Sequence, residues 1–247
     1  PTSKSPVLAV SAANVGTVYA VTPAGIETTL HAFQGGADGA TPWGGLLNVG
    51  GVLYGTTYGG GDTRGDGTLF SMTLAGAKTV LHTFVRGNDG AAPVGSLVKS
   101  GNTLYGTTAA GGNGTDCGGP TAGCGTVFKV NHKDVYSQMY RFNLQDADQP
   151  LGTMLPFNGE LYGTSFNGGE DINNSLGTLF KVTKDGTETV LHSFGTGVDG
   201  ADPVGGLINV DGTFYGPTES GGAHEFGTVF SVTPAGVETV IHDFTRM

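Results

Sequence analysis

Charged side chains are scarce in this sequence, and basic ones are the scarcest. Asp, Glu, Lys and Arg make up 13% of the 247 residues, with 11 basic residues against 21 acidic ones. The formal net charge of -10 describes a surface that repels phosphate backbones and anionic lipid head groups. We therefore expect neither nucleic acid nor a membrane surface as a partner.

Long apolar runs are missing as well. No run approaches the roughly 18 residues that span a bilayer, which predicts no membrane insertion. A chain that opens with Pro1 shows no charged segment followed by an apolar one, so we expect any export signal to have been removed.

Cysteine is limited to Cys117 and Cys124, which lie in a glycine-rich stretch. This spacing is typical of a local disulfide, and we predict that the two residues form one. A metal site would need two further soft ligands at suitable spacing, and two free thiols are the other alternative. The pattern therefore predicts no cofactor at this position.

Glycine is abundant, with 46 residues, and much of it falls in a repeat. A Gly-Thr-apolar-aromatic block starts at Gly16, Gly67, Gly125, Gly177 and Gly227, so successive starts are 51, 58, 52 and 50 residues apart. Three more blocks recur with the same spacing. An LHAF-like block starts at residues 30, 81, 139, 191 and 241. An LYGTT-like block starts at 53, 104, 161 and 214, and a Pro-x-Gly block starts at 42, 93, 150 and 203. The chain is therefore built from five repeated units.

Each unit predicts four short antiparallel strands, because its apolar segments are separated by Gly, Asn, Asp and Pro turn signals. Strict alternation in the fourth strand would place Val80, His82 and Phe84 on one face and Leu81 on the other. Sheets that are apolar on both faces are stable when copies stack around an axis. We predict an all-β fold, a single five-bladed β-propeller of four-stranded antiparallel blades over residues 1–247, with a linear solenoid as the alternative. The units, numbered 1 to 5, span approximately residues 1–34, 35–85, 86–143, 144–195 and 196–247.

Unit 1 is the incomplete one. Residues 7–12 can supply its second strand, whereas no segment supplies its first. We expect a three-stranded first blade or a natural chain that extends further.

The segments GTVFSVTPAGVETVIHDF, DGADPVGGL and LYGTT resemble the GloVer-type tandem repeats of bacterial "choice-of-anchor" surface proteins. The resemblance covers nearly the whole chain. It implies a propeller of short β repeats and export to the cell envelope or beyond, and it implies no particular reaction.

Histidine and aspartate recur once per unit. The histidines at 31, 82, 192 and 242 share one strand position, at which unit 3 has Tyr140, and we expect a hydrogen-bonded structural role for them. Asp38, Asp89, Asp146 and Asp199 precede the repeated proline by four residues and are typical of turns. A calcium site that uses one or more of them with Asp148 or Asp202 remains open, because calcium prefers clustered carboxylate and carbonyl oxygens.

Residues that break the repeat are the better candidates for function, and they cluster in the loop after the second strand of each unit. Trp43, the only tryptophan, follows the repeated proline, where it could stack on a sugar ring or pack against a neighbouring unit. The predicted ligand-binding residues are Trp43, Tyr58, Asp62, Arg64, Phe166, Asn167, Glu170, Glu219, His224 and Glu225.

These residues suggest an exported binding or display module whose partner is a polysaccharide or other glycan. A polysaccharide lyase or glycoside hydrolase is the alternative, with Glu219, His224, Tyr58 and Arg64 as the catalytic residues. A structural spacer is the second alternative. We expect a monomer that is secreted, extracellular or held in the cell envelope.

Overall fold

The computed structural model describes residues 15–112, 117, 123–170, 175–195 and 198–246. Its regular structure is almost entirely β, with one short 3-10 turn at Gly36–Asp38. Residues 7–12, the predicted second strand of unit 1, lie outside the described residues. Within those ranges, no helix is long and apolar enough to cross a membrane.

The strands follow the repeat. Unit 1 contributes β1 (Thr17–Val21) and β2 (Glu27–Ala32), and unit 2 contributes β3 (Leu47–Val49), β4 (Val52–Thr57), β5 (Thr68–Thr73) and β6 (Lys78–Thr83). Unit 3 contributes β7 (Val98–Ser100), β8 (Thr103–Thr108), β9 (Thr126–Val130) and β10 (Tyr136–Arg141), and unit 4 contributes β11 (Leu155–Phe157), β12 (Glu160–Ser165), β13 (Thr178–Val182) and β14 (Glu188–Ser193). Unit 5 contributes β15 (Gly200–Ala201), β16 (Ile208–Val210), β17 (Thr213–Pro217), β18 (Ser220–Gly221), β19 (Thr228–Val232) and β20 (Glu238–Asp243).

Units 2 to 5 each form the predicted four-stranded antiparallel sheet, with the four long strands in sequence order. Unit 1 contributes a two-stranded sheet of β1 and β2, and β15 pairs with β18 in a second two-stranded sheet. The all-β class and the four-stranded antiparallel sheets are therefore confirmed.

A bulge interrupts the last hairpin of every unit, which corrects the expected alternation in the fourth strand. In unit 2, Leu69 pairs with His82 and Phe70 pairs with Val80, so Leu81 is an extra residue without a partner. The strict alternation of side chains between the two faces is therefore wrong at this point. An extra residue of this kind bends the strand and increases its twist.

Neighbouring units bury a shared core, in which a phenylalanine after the fourth strand of one unit contacts the phenylalanine of the third strand in the next. The pairs, with the distances between ring centroids, are Phe33 and Phe70 (5.6 Å), Phe84 and Phe128 (5.4 Å), Phe142 and Phe180 (4.8 Å), and Phe194 and Phe230 (5.1 Å). By repeat position the next pair would be Phe244 with Tyr19, but these residues are 43% and 57% exposed. The described residues thus contain four such interfaces between five units.

The Pro-x-Gly segments of units 2 to 5 lie side by side. A Cβ atom added to Gly44 would lie 2.9 Å from the carbonyl oxygen of Gly95, and one added to Gly95 would lie 2.8 Å from that of Gly152. Only glycine permits backbones to approach this closely. The same contact continues from Gly152 to Gly205.

The connection that enters a unit pairs with the loop after that unit's second strand. Ala40 pairs with Gly59, Ala91 with Ala110, Asp148 with Asn167, and β15 with β18. These two sets of loops therefore meet on one side of the sheets, which is where the non-repeated residues were expected.

Candidate functional site

Trp43 and Tyr58 form an exposed aromatic pair on this side. Their rings are stacked, with centroids 4.4 Å apart and planes 26° from parallel. Trp43 is 60% exposed and Tyr58 is 37% exposed. The backbone N–H of Tyr58 donates to the carbonyl oxygen of Thr41, 2.9 Å away, which holds the loop beside the proline segment. Trp43 therefore contacts an aromatic ring of its own unit and keeps most of its surface open to solvent.

Tyr58 also lines a cavity of about 190 Å³ to which units 2, 3 and 4 contribute. Its walls are Tyr58, Ala92, Ala109, Ala110, Cys117, Gly123, Asp148 and Gln149. Small apolar side chains make up one wall, and Asp148 and Gln149 supply polar groups. An apolar pocket with a few convergent polar groups is the usual form of a small-molecule site.

Asp148 is buried in this cavity, and burial raises the pKa of its carboxyl group to about 6. The side-chain amide of Asn167 lies 3.4 Å from the carboxylate and opposes this shift. From the sequence, Asp148 was expected only as a calcium ligand, and Gln149 was not expected in a site. Asp148 does depart from the repeat, because Ala40, Ala91 and Ala201 occupy the same position in other units.

The predicted disulfide between Cys117 and Cys124 is confirmed. One carboxylate oxygen of Asp148 and the two sulfur atoms lie within 4.8 Å of one another. The disulfide therefore contributes Cys117 to the cavity wall, and the two sulfur atoms are bonded to each other.

Asp62 and Arg64 lie in the same loop as Tyr58 but are engaged differently. One carboxylate oxygen of Asp62 accepts hydrogen bonds from the backbone N–H groups of Arg64, Gly65 and Asp66. The Arg64 side chain is 67% exposed, and its Nε lies 3.7 Å from the Asp62 carboxylate. The Asp62 carboxylate therefore stabilises a turn, and Arg64 extends into solvent.

The unit 4 candidates divide between cavity and surface. Phe166 is half-buried, and its N–H donates to the carbonyl oxygen of Gln149 at 3.0 Å, while Asn167 contacts Asp148 as described. Glu170 is exposed, with its backbone N–H 3.4 Å from the hydroxyl of Ser193. Phe166 and Asn167 thus hydrogen-bond to Gln149 and Asp148, the two polar residues of the cavity wall.

The unit 5 candidates Glu219, His224 and Glu225 are exposed. In the described part of the chain, no hydrogen bond or ion pair joins the side chain of Glu219 or His224 to Tyr58 or Arg64. The four residues predicted to be catalytic are therefore not brought together as a hydrogen-bonded set.

Three of the four repeated histidines, His31, His82 and His192, have the hydrogen-bonded structural role that was expected, whereas His242 is exposed and packs edge-on against the ring of Phe244. His31 Nε2 lies 3.0 Å from the Asp38 carboxylate, His82 2.8 Å from that of Asp89, and His192 3.2 Å from that of Asp199, while Tyr140 donates to Asp146 at 2.6 Å. Each carboxylate also accepts a backbone N–H from the preceding turn, so the turn interpretation of these aspartates is confirmed. Asp148 and Asp202 instead contact Asn167 and Ser220, respectively.

Comparison with solved structures shows a propeller-like fold. A gluconolactonase from Xanthomonas campestris aligns with a TM-score of 0.53 and 14% identity over 91% of this chain and 67% of the enzyme. The GH43 protein BlXynB from Bacillus licheniformis aligns with a TM-score of 0.45 and 14% identity over 81% of this chain and 41% of that protein.

In sequence, no curated protein matches the chain. The profile of the Gloeobacter/Verrucomicrobia repeat matches residues 8–117 and again residues 113–247, which together span nearly all of it. The chain therefore belongs to the Gloeobacter/Verrucomicrobia repeat family.

Proposed function

We propose that this chain is an exported binding module that holds a glycan on the Trp43 and Tyr58 rings, with Asp148 and Gln149 as polar contacts in the adjoining cavity. The observation that carries the proposal is the exposed, stacked aromatic pair at the edge of a cavity. Aromatic side chains left open to water on a protein surface often mark a binding site.

The chemistry of the two parts is complementary. The flat face of Trp43 suits the apolar face of a sugar ring, while a carboxylate and an amide can hydrogen-bond sugar hydroxyls. The net charge of -10 disfavours polysaccharides that carry carboxylate or sulfate groups. We therefore infer a neutral glycan as the partner.

Several observations support an exported propeller. The phenylalanine contacts that recur between successive units suit five blades arranged around one axis. The likeness to the gluconolactonase, an enzyme important in glucose secondary metabolic pathways, supports a carbohydrate role. A disulfide is typical of proteins outside the reducing cytoplasm, and the family includes bacterial repeat proteins. We propose a secreted or cell-envelope location and a monomeric state.

The test is affinity electrophoresis of the full chain against neutral and acidic polysaccharides, with reducing ends and unsaturated products measured in the same mixtures. We expect a neutral polysaccharide to retard the protein without product. The variant W43V, which places at this position the residue found in units 3 and 5, should weaken binding by about tenfold, equivalent to about 1.4 kcal/mol. V204A, at the same repeat position in unit 5, is the matched control and should bind normally.

Other results would contradict the proposal. Product formation would favour a lyase or hydrolase and would direct attention to Glu219, His224, Tyr58 and Arg64. Absence of both retardation and product would favour a structural spacer. Retardation that W43V leaves unchanged would place the glycan site elsewhere on the chain.

A further inference from the structure

Every contact between successive units includes one variable position. The residue four places before the repeated histidine position begins the fourth strand of its unit. It lies beside the repeated aspartate and its partner in the preceding unit. We call each such contact a junction and number it by the two units it joins. The partner of the aspartate is a histidine at three junctions and Tyr140 at junction 3/4. The variable residue is Lys78 at junction 1/2, Tyr136 at junction 2/3, Glu188 at junction 3/4 and Glu238 at junction 4/5.

At junction 1/2 this position holds a cation. The ammonium group of Lys78 donates to the Asp38 carboxylate at 2.9 Å and to the Asp38 carbonyl oxygen at 2.6 Å. The Lys78 side chain is only 4% exposed. The junction can therefore enclose a positive charge among the oxygens of the repeated aspartate.

At junction 2/3 the variable position holds Tyr136, whose hydroxyl group is a neutral hydrogen-bond donor. The Tyr136 hydroxyl donates to the carbonyl oxygen of Asp89 at 2.8 Å, and its ring stacks on His82 with centroids 3.7 Å apart. Hydrogen-bond donors thus meet the aspartate at both of the first two junctions.

At junction 4/5 a carboxylate stands where the ammonium group stands at junction 1/2. Glu238 faces Asp199, and one oxygen of Glu238 is buried without a hydrogen-bond partner. Among the described residues, three side-chain oxygens are buried without a hydrogen-bond partner. They belong to Asp66, Glu188 and Glu238, and the last two are junction residues. A buried carboxylate beside another carboxylate is unfavourable unless a cation or a proton accompanies it.

His192 is the third potential metal ligand at junction 4/5, beside Asp199 and Glu238. One ligand atom from each of His192, Asp199 and Glu238 lies within 4.8 Å of the other two. The distance from His192 Nε2 to the Asp199 carboxylate is 3.2 Å, the longest of the three histidine–aspartate contacts. Ligands about 2.0 to 2.2 Å from a tetrahedral Zn²⁺ ion lie at roughly such separations from each other.

We propose that junction 4/5 is a binding site for a divalent transition-metal ion, with His192 Nε2 and the carboxylates of Asp199 and Glu238 as its ligands. The ion supplies beside Asp199 the positive charge that the Lys78 ammonium group supplies beside Asp38 at junction 1/2. An imidazole nitrogen with two carboxylates suits Zn²⁺ better than Ca²⁺, which takes six to eight oxygen ligands.

The site would tie unit 4 to unit 5. His192 belongs to β14, Asp199 lies in the connection, and Glu238 begins β20. An ion bound to all three therefore links the last two units, as Asp38 links the first two through its contacts with both His31 and Lys78.

The experiment uses the full chain, freed of metal by a chelator and then titrated with ZnCl2 by isothermal titration calorimetry and in thermal unfolding. We expect one high-affinity Zn²⁺ per chain and a rise in the midpoint of thermal unfolding, because a ligand that binds only the folded state stabilises it. E238Q should weaken Zn²⁺ binding by at least about tenfold, as the loss of groups at metal sites commonly does. E27Q is the matched control, since Glu27 holds the same repeat position in unit 1 and is exposed.

A second variant keeps the test decisive if E238Q folds poorly. E238K reproduces the arrangement of Lys78 and should raise the thermal midpoint of the metal-free protein while abolishing its response to Zn²⁺. Absence of Zn²⁺ binding, or Zn²⁺ binding that E238Q and E238K leave intact, would overturn the site. A stronger response to Ca²⁺ than to Zn²⁺ would overturn the assignment of the ion class.

Discussion

A pair of buried hydroxyl groups joins the second and third strands in each of units 2 to 5. The Oγ atoms are 2.8 Å apart in Thr57 and Thr68, Thr108 and Thr126, and Ser165 and Thr178, and 3.0 Å apart in Thr218 and Thr228. Unit 4 alone has serine as the first member. It also has Ala147 where the other three units have glycine against the hydroxyl pair.

We expect these two differences to compensate for each other. A Cβ added to Gly39 would lie 2.6 and 2.7 Å from the hydroxyl oxygens of Thr57 and Thr68 and 2.9 Å from the methyl carbon of Thr57, and Ser165 lacks that methyl group. Overpacking of this kind costs about 1 to 3 kcal/mol. We expect S165T to lower the free energy of unfolding by that amount and A147G/S165T to recover most of it, as measured in urea. Additive effects of A147G and S165T would show that the two sites are independent.

Glu188, at junction 3/4, has a carboxyl group whose surroundings change its pKa. Burial, with a smaller contribution from the charge of Asp146, raises the pKa of its carboxyl group to about 8. The folded protein therefore holds a proton that the unfolded chain releases near pH 4.5. The stability that depends on this proton is fully present at acidic pH and is lost as the pH rises toward 8.

The variant E188Q carries the neutral group at every pH. We expect its advantage over the original chain in free energy of unfolding to grow between pH 5 and pH 8 and to reach about 1 to 2 kcal/mol, after allowance for partial exposure of the group. E27Q is the control and should show no such trend. A constant difference between E188Q and the original chain across this pH range would mean that Glu188 titrates normally.

Individual site residues were predictable to different degrees. Trp43 and Tyr58 were found because they break a repeat, but their mutual stacking depends on a turn that brings two separate segments together. Asp62 was selected for its charge, whereas its carboxylate serves the backbone of its own loop. The partner of a polar side chain is fixed by three-dimensional proximity, which a sequence pattern does not contain.

At the scale of the strands, the repeat was a reliable guide. The third and fourth strands expected in unit 2 are observed as Thr68–Thr73 and Lys78–Thr83. Turn residues between them have strong local preferences, so short segments are sufficient to predict the hairpins. The bulge at Leu81 was missed because it depends on which residues pair across the hairpin, and an alternating pattern reads the same until the pairing is known.

For the whole molecule, five units were predicted; units 2 to 5 form four-stranded sheets, and unit 1 contributes two described strands. The arrangement of the chain ends depends on contacts that no repeat can specify. Phe33, Phe84, Phe142 and Phe194 are buried against the following unit, whereas Phe244 is 43% exposed. These contacts define four interfaces between successive units. A closed ring of five blades remains our proposal.

Alanine substitution at the five positions tests closure. Replacement of a buried phenylalanine costs about 3 to 5 kcal/mol, and we expect this range for F84A and F194A. F244A should cost less than about 1 kcal/mol if its ring stays as exposed as in the structure, and urea unfolding of matched variants measures the difference. A cost for F244A equal to that of F84A would show that Phe244 is covered in solution and would favour closure against Tyr19.

The cavity beside Tyr58 draws its walls from units 2, 3 and 4, and each of these units has a packed neighbour on both sides. Units in a stacked array open first where they have only one neighbour, and the opening then travels inward. Units 1 and 5 each take part in one of the four described phenylalanine interfaces, and their Tyr19 and Phe244 side chains are exposed, so we expect opening to begin at these two units even when they meet in a ring. The ligand cavity would consequently be among the last regions to open, so that partial unfolding of either terminal unit would leave the glycan site assembled.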